Sequence, residues 1–147
     1  MTDRGPSPRR VLAVDFGDRR TGLAATDWTG AIRVPLPAVV GRDDASCARE
    51  IAALAADRET EALVVGLPLD GDGKIGPRAQ RTLGFVATLR RATDIPVHTV
   101  DEAYSTDEAH ARLKDLGVRA AKRRQVADSV AAMVILERFL AFGPDRS

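Results

Sequence analysis

Three apolar segments of this chain carry acidic residues, and this pattern constrains the fold more than any other feature of the sequence. Asp15 ends the run VLAVD, Asp101 and Glu102 end IPVHTVDE, and Asp128 lies within VADSVAAMVIL. A carboxylate on a buried strand end or an apolar helix is costly unless its charge is compensated, and several carboxylates brought together repel one another. The usual compensation is a divalent cation with oxygen ligands. The pattern therefore predicts metal-assisted chemistry, most often on phosphate esters.

The composition is that of one globular domain. The 147 residues suffice for a single core, and 44% apolar and 29% charged residues are an ordinary balance for a soluble protein. No apolar stretch approaches the roughly 18–20 residues that span a bilayer, so we expect no membrane partner. The start MTDRGPSPRR lacks the apolar core of a signal peptide. We expect a disordered lead-in at 1–9, one folded domain at 10–142 and a tail at 143–147.

The single cysteine, Cys47, excludes an internal disulfide and a metal site built from thiolates. This usage predicts a reducing cytoplasm. The simplest interpretation of Cys47 is a small residue on a helix, and a bridge between two copies of the chain is the alternative.

The basic residues are clustered, although the formal net charge of +1 is not that of a protein that coats nucleic acid. Two clusters lie close to acidic candidates, one at 19–20 and one at 122–124, which favours a phosphate-binding rim over a merely solvated face. A further arginine follows the Gly-rich loop 66–77, which either presents backbone N–H groups to a phosphate or is a plain flexible loop. The candidate nucleic-acid-binding residues are Arg19, Arg20, Arg78, Lys122, Arg123 and Arg124.

The order of the predicted elements indicates an α/β fold. Short turns join three strands into antiparallel hairpins, and Pro35 and Pro37 place the third strand at an edge. Two later strands alternate with helices and should be parallel, through right-handed crossovers. The predicted strands are 10–16, 21–26, 31–40, 62–65 and 95–100, and the predicted helices are 44–58, 77–93, 105–117 and 122–142. A mixed five-stranded sheet flanked by helices, with acids at strand ends and on the last helix, is the order of ribonuclease H-like folds.

Strand periodicity separates the two neighbouring acids. Glu102 shares a face with His98 and Val100, whereas Asp101 faces the other way, so Glu102 should enter the site. The alternative is that both acids stabilise the N-terminus of the following helix.

The two other acids have structural alternatives as well. Asp15 precedes Gly17 and could simply start a turn. Asp128 lies on a stripe with Ala131 and Ala132 that can pack closely on the sheet, but it could also pair with Arg124 one turn earlier.

Two other classes of function stay open at this level. The Asp15-Phe16-Gly17 hairpin is also typical of actin-type ATPases and sugar kinases, although such enzymes close two lobes over ATP and this chain supplies one. The glycine-rich loop is not a Walker motif, because Ile75 follows the Gly-Lys pair. A catalytically silent nucleic-acid-binding or assembly module is the third possibility.

Four segments resemble the YqgF/RuvX family: VDFGDRRTGLA, VVGLPLDGDGKIGPRAQ, VDEAYSTDEA and KRRQVADSVAAMVIL. They span about residues 11–140, and their joint occurrence in this order is highly specific. The resemblance implies a ribonuclease H-like fold and a nuclease that depends on Mg²⁺ or Mn²⁺. It also implies a role in maturing the 5′ end of the small-subunit ribosomal RNA precursor. Related proteins have been considered Holliday-junction resolvases because they are similar to RuvC.

The resemblance assigns roles by position. The catalytic and metal-binding residues would be Asp15, Glu102 and Asp128, with Asp101 as a further metal ligand, and Arg20 would be the basic residue of the first motif. One departure is Ala103, where the family usually has Arg after the acidic pair. The implied partner is nucleic acid, either precursor rRNA or structured or single-stranded DNA, bound by a monomer or a homodimer.

Overall fold

The computed structural model describes residues 8–69, 72–102 and 120–143, and residues 120–128 by their backbone alone. The predicted helix at 105–117 lies outside these ranges. The strands are β1 (Val11–Asp15), β2 (Arg20–Thr26), β3 (Arg33–Val40), β4 (Ala62–Leu67) and β5 (Val97–Asp101). The helices are α1 (Asp44–Asp57), α2 (Pro77–Ala92) and α3 (Ala120–Phe142). Within the described residues, no helix is both long and apolar enough to cross a membrane.

The five strands form one mixed sheet in the order β3-β2-β1-β4-β5. β1 and β3 each pair antiparallel with β2, whereas β4 pairs parallel with both β1 and β5. The predicted fold class is confirmed, as is the edge position of the proline-bearing strand β3. The register of the β2–β3 pair shifts between Thr21 and Leu23, which is a bulge at the end of the sheet where the acidic residues lie.

Each predicted strand differs from the structure by one or two residues at one or both ends, and two of these differences have a clear physical reason. β4 continues past Val65 to Leu67, because Gly66 and Leu67 still pair with the neighbouring strand β5. β5 begins at Val97 rather than at residue 95, because Pro96 has no N–H to donate to a ladder.

The sheet is covered on both faces. Alternation along β1 sends Leu12 and Val14 into a core with α1 and α2, and Val11 and Ala13 into a second core with α3. All four side chains are at most 1% exposed. A strand buried on both faces explains the uninterrupted apolar run before Asp15.

Both α1 and α2 begin at the end of the sheet where the acidic residues lie. Asp43 caps α1, and its Oδ1 accepts a hydrogen bond from the Ser46 N–H at 2.7 Å, which holds the pKa of Asp43 below its ordinary value. α2 begins with Pro77, whose fixed φ suits the first helical position.

Candidate active site

The carboxyl ends of the three parallel strands bring two of the acidic residues together. Val14 pairs with Val65, so Asp15 comes level with Gly66, and Gly66 pairs with Val100. Glu102 follows the end of β5, and its backbone N–H donates to the Leu67 carbonyl at 3.2 Å. In parallel sheets such an edge is where binding sites form.

Both acids lie on the face of the sheet that α3 covers. Val11 and Ala13 of β1 and Val100 of β5 belong to the core under α3, and alternation places Asp15 and Glu102 on the same side. The predicted separation of the two neighbouring acids agrees with this arrangement, because Asp101 is the last residue of β5 and alternates to the other side.

Gly66 makes room for the Glu102 carboxyl group. A Cβ at Gly66 would lie 2.6 Å from Oε2 and 2.9 Å from Cβ of Glu102, and it would also clash with Cδ1 of Ile135 on α3. Glu102 therefore packs directly over the backbone of the strand between it and Asp15. From the sequence, Gly66 was predicted only to be part of a loop. The signal for its role was a glycine at the end of a buried strand, where a close approach is common.

The Glu102 carboxyl group is in an unfavourable environment for a charge. Burial, followed by the charge of Asp15 and a hydrogen bond between these two carboxyl groups, raises the pKa of Glu102 to about 9. Asp101 acts in the same direction, and the nearby Arg78 opposes it. Oε2 of Glu102 is buried and has no hydrogen-bond partner among the described residues. Without a cation, the pair therefore keeps a proton at neutral pH.

These features fit an oxygen-coordinated divalent cation. The donors are carboxylate oxygens, which Mg²⁺ and Mn²⁺ prefer, and one of them is a buried oxygen with no described partner. Among the side chains that the structure describes, no group of three acidic, histidine or cysteine residues is close enough to hold a metal ion. The third predicted ligand, Asp128, belongs to the stretch described by its backbone alone.

The path of α3 over the sheet is described, whereas the Asp128 side chain is not. Phe139 stacks on His98 in the middle of β5, with ring centroids 5.4 Å apart, and Ile135 reaches Gly66 nearer the strand ends. Nearer the start of the helix, the Ser129 hydroxyl donates to the Leu36 carbonyl of β3 at 3.3 Å. The helix therefore crosses the sheet from β5 towards β3, and the grouping of Asp128 with the two other acids stays a prediction.

The predicted nucleic-acid-binding residues lie on three different elements near this edge. Arg78 lies close enough to Glu102 to lower its pKa. Arg20 begins β2 and is half-buried, and Arg19 is exposed in the preceding turn. The three basic residues at 122–124 lie in the first turns of α3, where only the backbone is described.

A cleft of about 260 Å³ opens between the β1–β2 turn and the first turns of α2. Its lining residues are Phe16, Gly17, Asp18, Pro77, Arg78, Arg81 and Thr82. The turn is tight, because a Cβ at Gly17 would clash with the carbonyl oxygen of Arg20. The cleft is therefore next to both acids. Phe16 in its lining directly follows Asp15, and Arg78 in its lining is close enough to Glu102 to affect the pKa of that residue.

Arg81 forms part of the cleft wall and is not among the residues predicted from the sequence. Its two terminal nitrogens donate to the two carboxylate oxygens of Asp44 at 2.6 and 2.9 Å, and its Nε lies 3.5 Å from Asp18. Its guanidinium also lies over the Phe16 ring, 4.9 Å from the centroid. These contacts hold the pKa of Asp44 below its ordinary value and raise the pKa of Arg81. The only signal in the sequence was its position one helical turn after Arg78.

Comparisons with known proteins match nearly the whole chain. The family model described as "RuvX: Holliday junction resolvase" matches residues 9–141. A protein of Roseiflexus sp. (strain RS-1) is 41% identical over 133 residues, which cover 90% of this chain and 94% of the relative. One from Anaeromyxobacter dehalogenans (strain 2CP-C) is 41% identical over 131 residues, covering 89% and 96%. Both bear the name "Putative pre-16S rRNA nuclease".

A solved structure agrees with the fold. It is that of T. thermophilus RuvC in complex with a Holliday junction substrate, with a TM-score of 0.52 and 16% identity over 91% of this chain and 96% of that chain. The four motifs, the mixed sheet and the match over residues 9–141 lead to one assignment: this chain belongs to the RuvX family.

Proposed function

We propose that this protein is a nuclease that hydrolyses phosphodiester bonds with the help of Mg²⁺ or Mn²⁺. The observation that carries the proposal is the buried contact between Asp15 and Glu102, in which one oxygen has no described partner and the pKa of Glu102 is raised to about 9. Buried carboxyl groups with a strongly raised pKa are found mainly at functional sites, because their burial lowers the stability of the domain. Membership in the RuvX family supports this reading over a phosphotransferase that closes two lobes over ATP.

The catalytic residues in this proposal are Asp15, Glu102 and Asp128, with Asp101 contributing negative charge beside them. A bound divalent cation would supply an activated water and stabilise the leaving oxygen. Glu102 must lose its proton to become a ligand, so cation binding releases a proton and strengthens as the pH rises. Gly66 keeps the Glu102 carboxyl group within reach of Asp15, and Ile135 closes the pocket on the α3 side.

The basic residues hold the nucleic-acid backbone. Two basic groups are close to the acidic residues. Arg19 and Arg20 lie shortly after Asp15 in the chain, and the cluster at 122–124 lies in the first turns of α3. Their positive charge favours the binding of phosphate. Binding of this kind weakens steeply with salt. The departure at Ala103 lies outside the described residues.

The substrate we propose is the precursor of the small-subunit ribosomal RNA, cut at its 5′ end in the cytoplasm. The names of the relatives that are 41% identical support this choice. A four-way DNA junction is the second candidate, supported by the description of the family model. A catalytically silent binding module remains the alternative from another class.

The test compares wild type with Asp15→Asn on labelled precursor rRNA, single-stranded DNA and four-way junctions, each with Mg²⁺, Mn²⁺ or EDTA. Asp57→Asn is the matched control, because Asp57 is exposed and ends α1 at the far end of that helix from its Asp43 cap. We expect cleavage by wild type and the control, and loss of cleavage by Asp15→Asn. Undiminished cleavage by Asp15→Asn would contradict the proposed site. Binding without cleavage by wild type would favour the silent module.

A further inference from the structure

We propose that the cleft between the β1–β2 turn and α2 binds one backbone phosphate of the nucleic-acid strand, next to the phosphate that is cleaved. Arg78 is the residue that binds this phosphate. The inference rests on the proposed nuclease function and adds to it a defined subsite that reads the sugar–phosphate backbone rather than the bases.

The two arginines of the cleft differ in what already neutralises them. Arg81 is held by Asp44 at 2.6 and 2.9 Å and by Asp18 at 3.5 Å, so its charge is balanced within the protein. The guanidinium of Arg78 makes no ion pair or hydrogen bond within the described residues, and its side chain is exposed. Arg78 is therefore the cation of the cleft that is available to an anion from solution.

The position of Arg78 links the cleft to the acidic pair. The cleft lining includes both Arg78 and Phe16, the residue that follows Asp15, and the charge of Arg78 acts to lower the pKa of Glu102. A phosphate bound to Arg78 would therefore lie near the proposed catalytic carboxylates. A cleft of about 260 Å³ is large enough for a phosphate and part of its sugar. A strand that places one phosphate at the acids would thus place a neighbouring phosphate here.

The aromatic ring in the cleft is not available to a base. Phe85 stacks on Phe16 with centroids 4.2 Å apart and an interplanar angle of 12°, and Arg81 lies over the Phe16 ring as well. Single-stranded nucleic acids gain affinity when bases stack on open aromatic faces, and Phe16 offers none. We therefore expect contacts in this cleft to be independent of base identity.

The experiment measures fluorescence anisotropy of labelled oligo(U) and oligo(A) with the full chain, in buffer with Ca²⁺, across a series of KCl concentrations. Arg78→Gln is compared with wild type and with Arg91→Gln. The matched control is Arg91, an exposed arginine in the last turn of the same helix. In the part of the chain that the structure describes, its side chain bonds only to Thr88 Oγ1, at 3.3 Å. Urea unfolding of each variant verifies that it is folded.

We expect Arg78→Gln to weaken the binding of both oligonucleotides by about tenfold. The slope of log K against log salt should become shallower by about 0.7, the value for one phosphate contact on a single strand. Arg91→Gln should change neither quantity.

Three results would overturn the subsite. The first is binding by Arg78→Gln that equals binding by Arg91→Gln, the second is an effect on only one of the two oligonucleotides, and the third is an unchanged salt slope. If this happens while Asp15→Asn still abolishes cleavage, the subsite fails and the proposed nuclease function stands. If wild type binds neither oligonucleotide and cleaves no substrate, both proposals fail.

Discussion

Replacing Glu102 by Gln should stabilise the metal-free protein at neutral pH. Glu102 is buried against Asp15, and its pKa is raised from 4.5 to about 9. Gln has nearly the same shape, carries no charge, and its amide can donate a hydrogen bond to the Asp15 carboxylate. The substitution thus removes the need to take up a proton on folding, and it opens no cavity.

The size of the effect follows from proton linkage. Below pH 4.5 Glu102 is protonated in both the folded and the unfolded chain, so it contributes no pH dependence. Between pH 4.5 and about 9 the unfolded chain has lost this proton and the folded protein keeps it, so folding becomes less favourable as the pH rises. The loss is about 1.4 kcal/mol per pH unit, or roughly 3 kcal/mol at pH 7.

The assay is urea unfolding in EDTA at several pH values between 5 and 8.5, with the free energy of unfolding of the variant compared with that of wild type at each pH. We expect little difference at pH 5 and a growing advantage for Glu102→Gln, of about 2–3 kcal/mol at pH 7. Glu50→Gln is the control, because Glu50 is a half-exposed surface residue 3.6 Å from Arg42, and its effect should stay below about 0.5 kcal/mol. A difference that does not change with pH, or a variant less stable than wild type at pH 7, would refute the buried contact with Asp15.

Three further predictions test neighbouring features. Mg²⁺ should raise the urea midpoint of wild type at pH 8 and leave that of Asp15→Asn unchanged, because only a cation-binding folded state is stabilised by mass action. Gly66→Ala should lower the free energy of unfolding by about 1–3 kcal/mol, because the added Cβ clashes with Glu102 and Ile135. Gly84→Ala should raise it by up to about 1 kcal/mol, because an added Cβ there meets nothing within 4 Å. Urea unfolding measures both. A double-mutant cycle of Arg81→Met and Asp44→Asn should give a coupling energy of about 1 kcal/mol, and additive effects would show that this ion pair contributes nothing.

Much of the fold was predictable because its determinants are local. The apolar run before Asp15, the short turns after it and the prolines of β3 define a hairpin series with an edge strand, and Pro77 marks the start of α2. The boundaries of β4 and β5 were harder, since Gly66 looks like a strand breaker in isolation. Its pairing with Val100 depends on a strand that is distant in the sequence.

The amino-acid sequence alone determined the order of strands and helices, the apolar segments that carry acids, and the motifs of the RuvX family. Each of these depends only on residues that are close together in the sequence. The tertiary structure decided how those acids interact. The parallel register brings Gly66 between Asp15 and Glu102, and only the absence of its side chain lets the Glu102 carboxyl group settle against Asp15 with a raised pKa. It also decided that Arg81 is neutralised by Asp44, whereas Arg78 has no such partner among the described side chains, because that difference depends on how α1 packs beside α2.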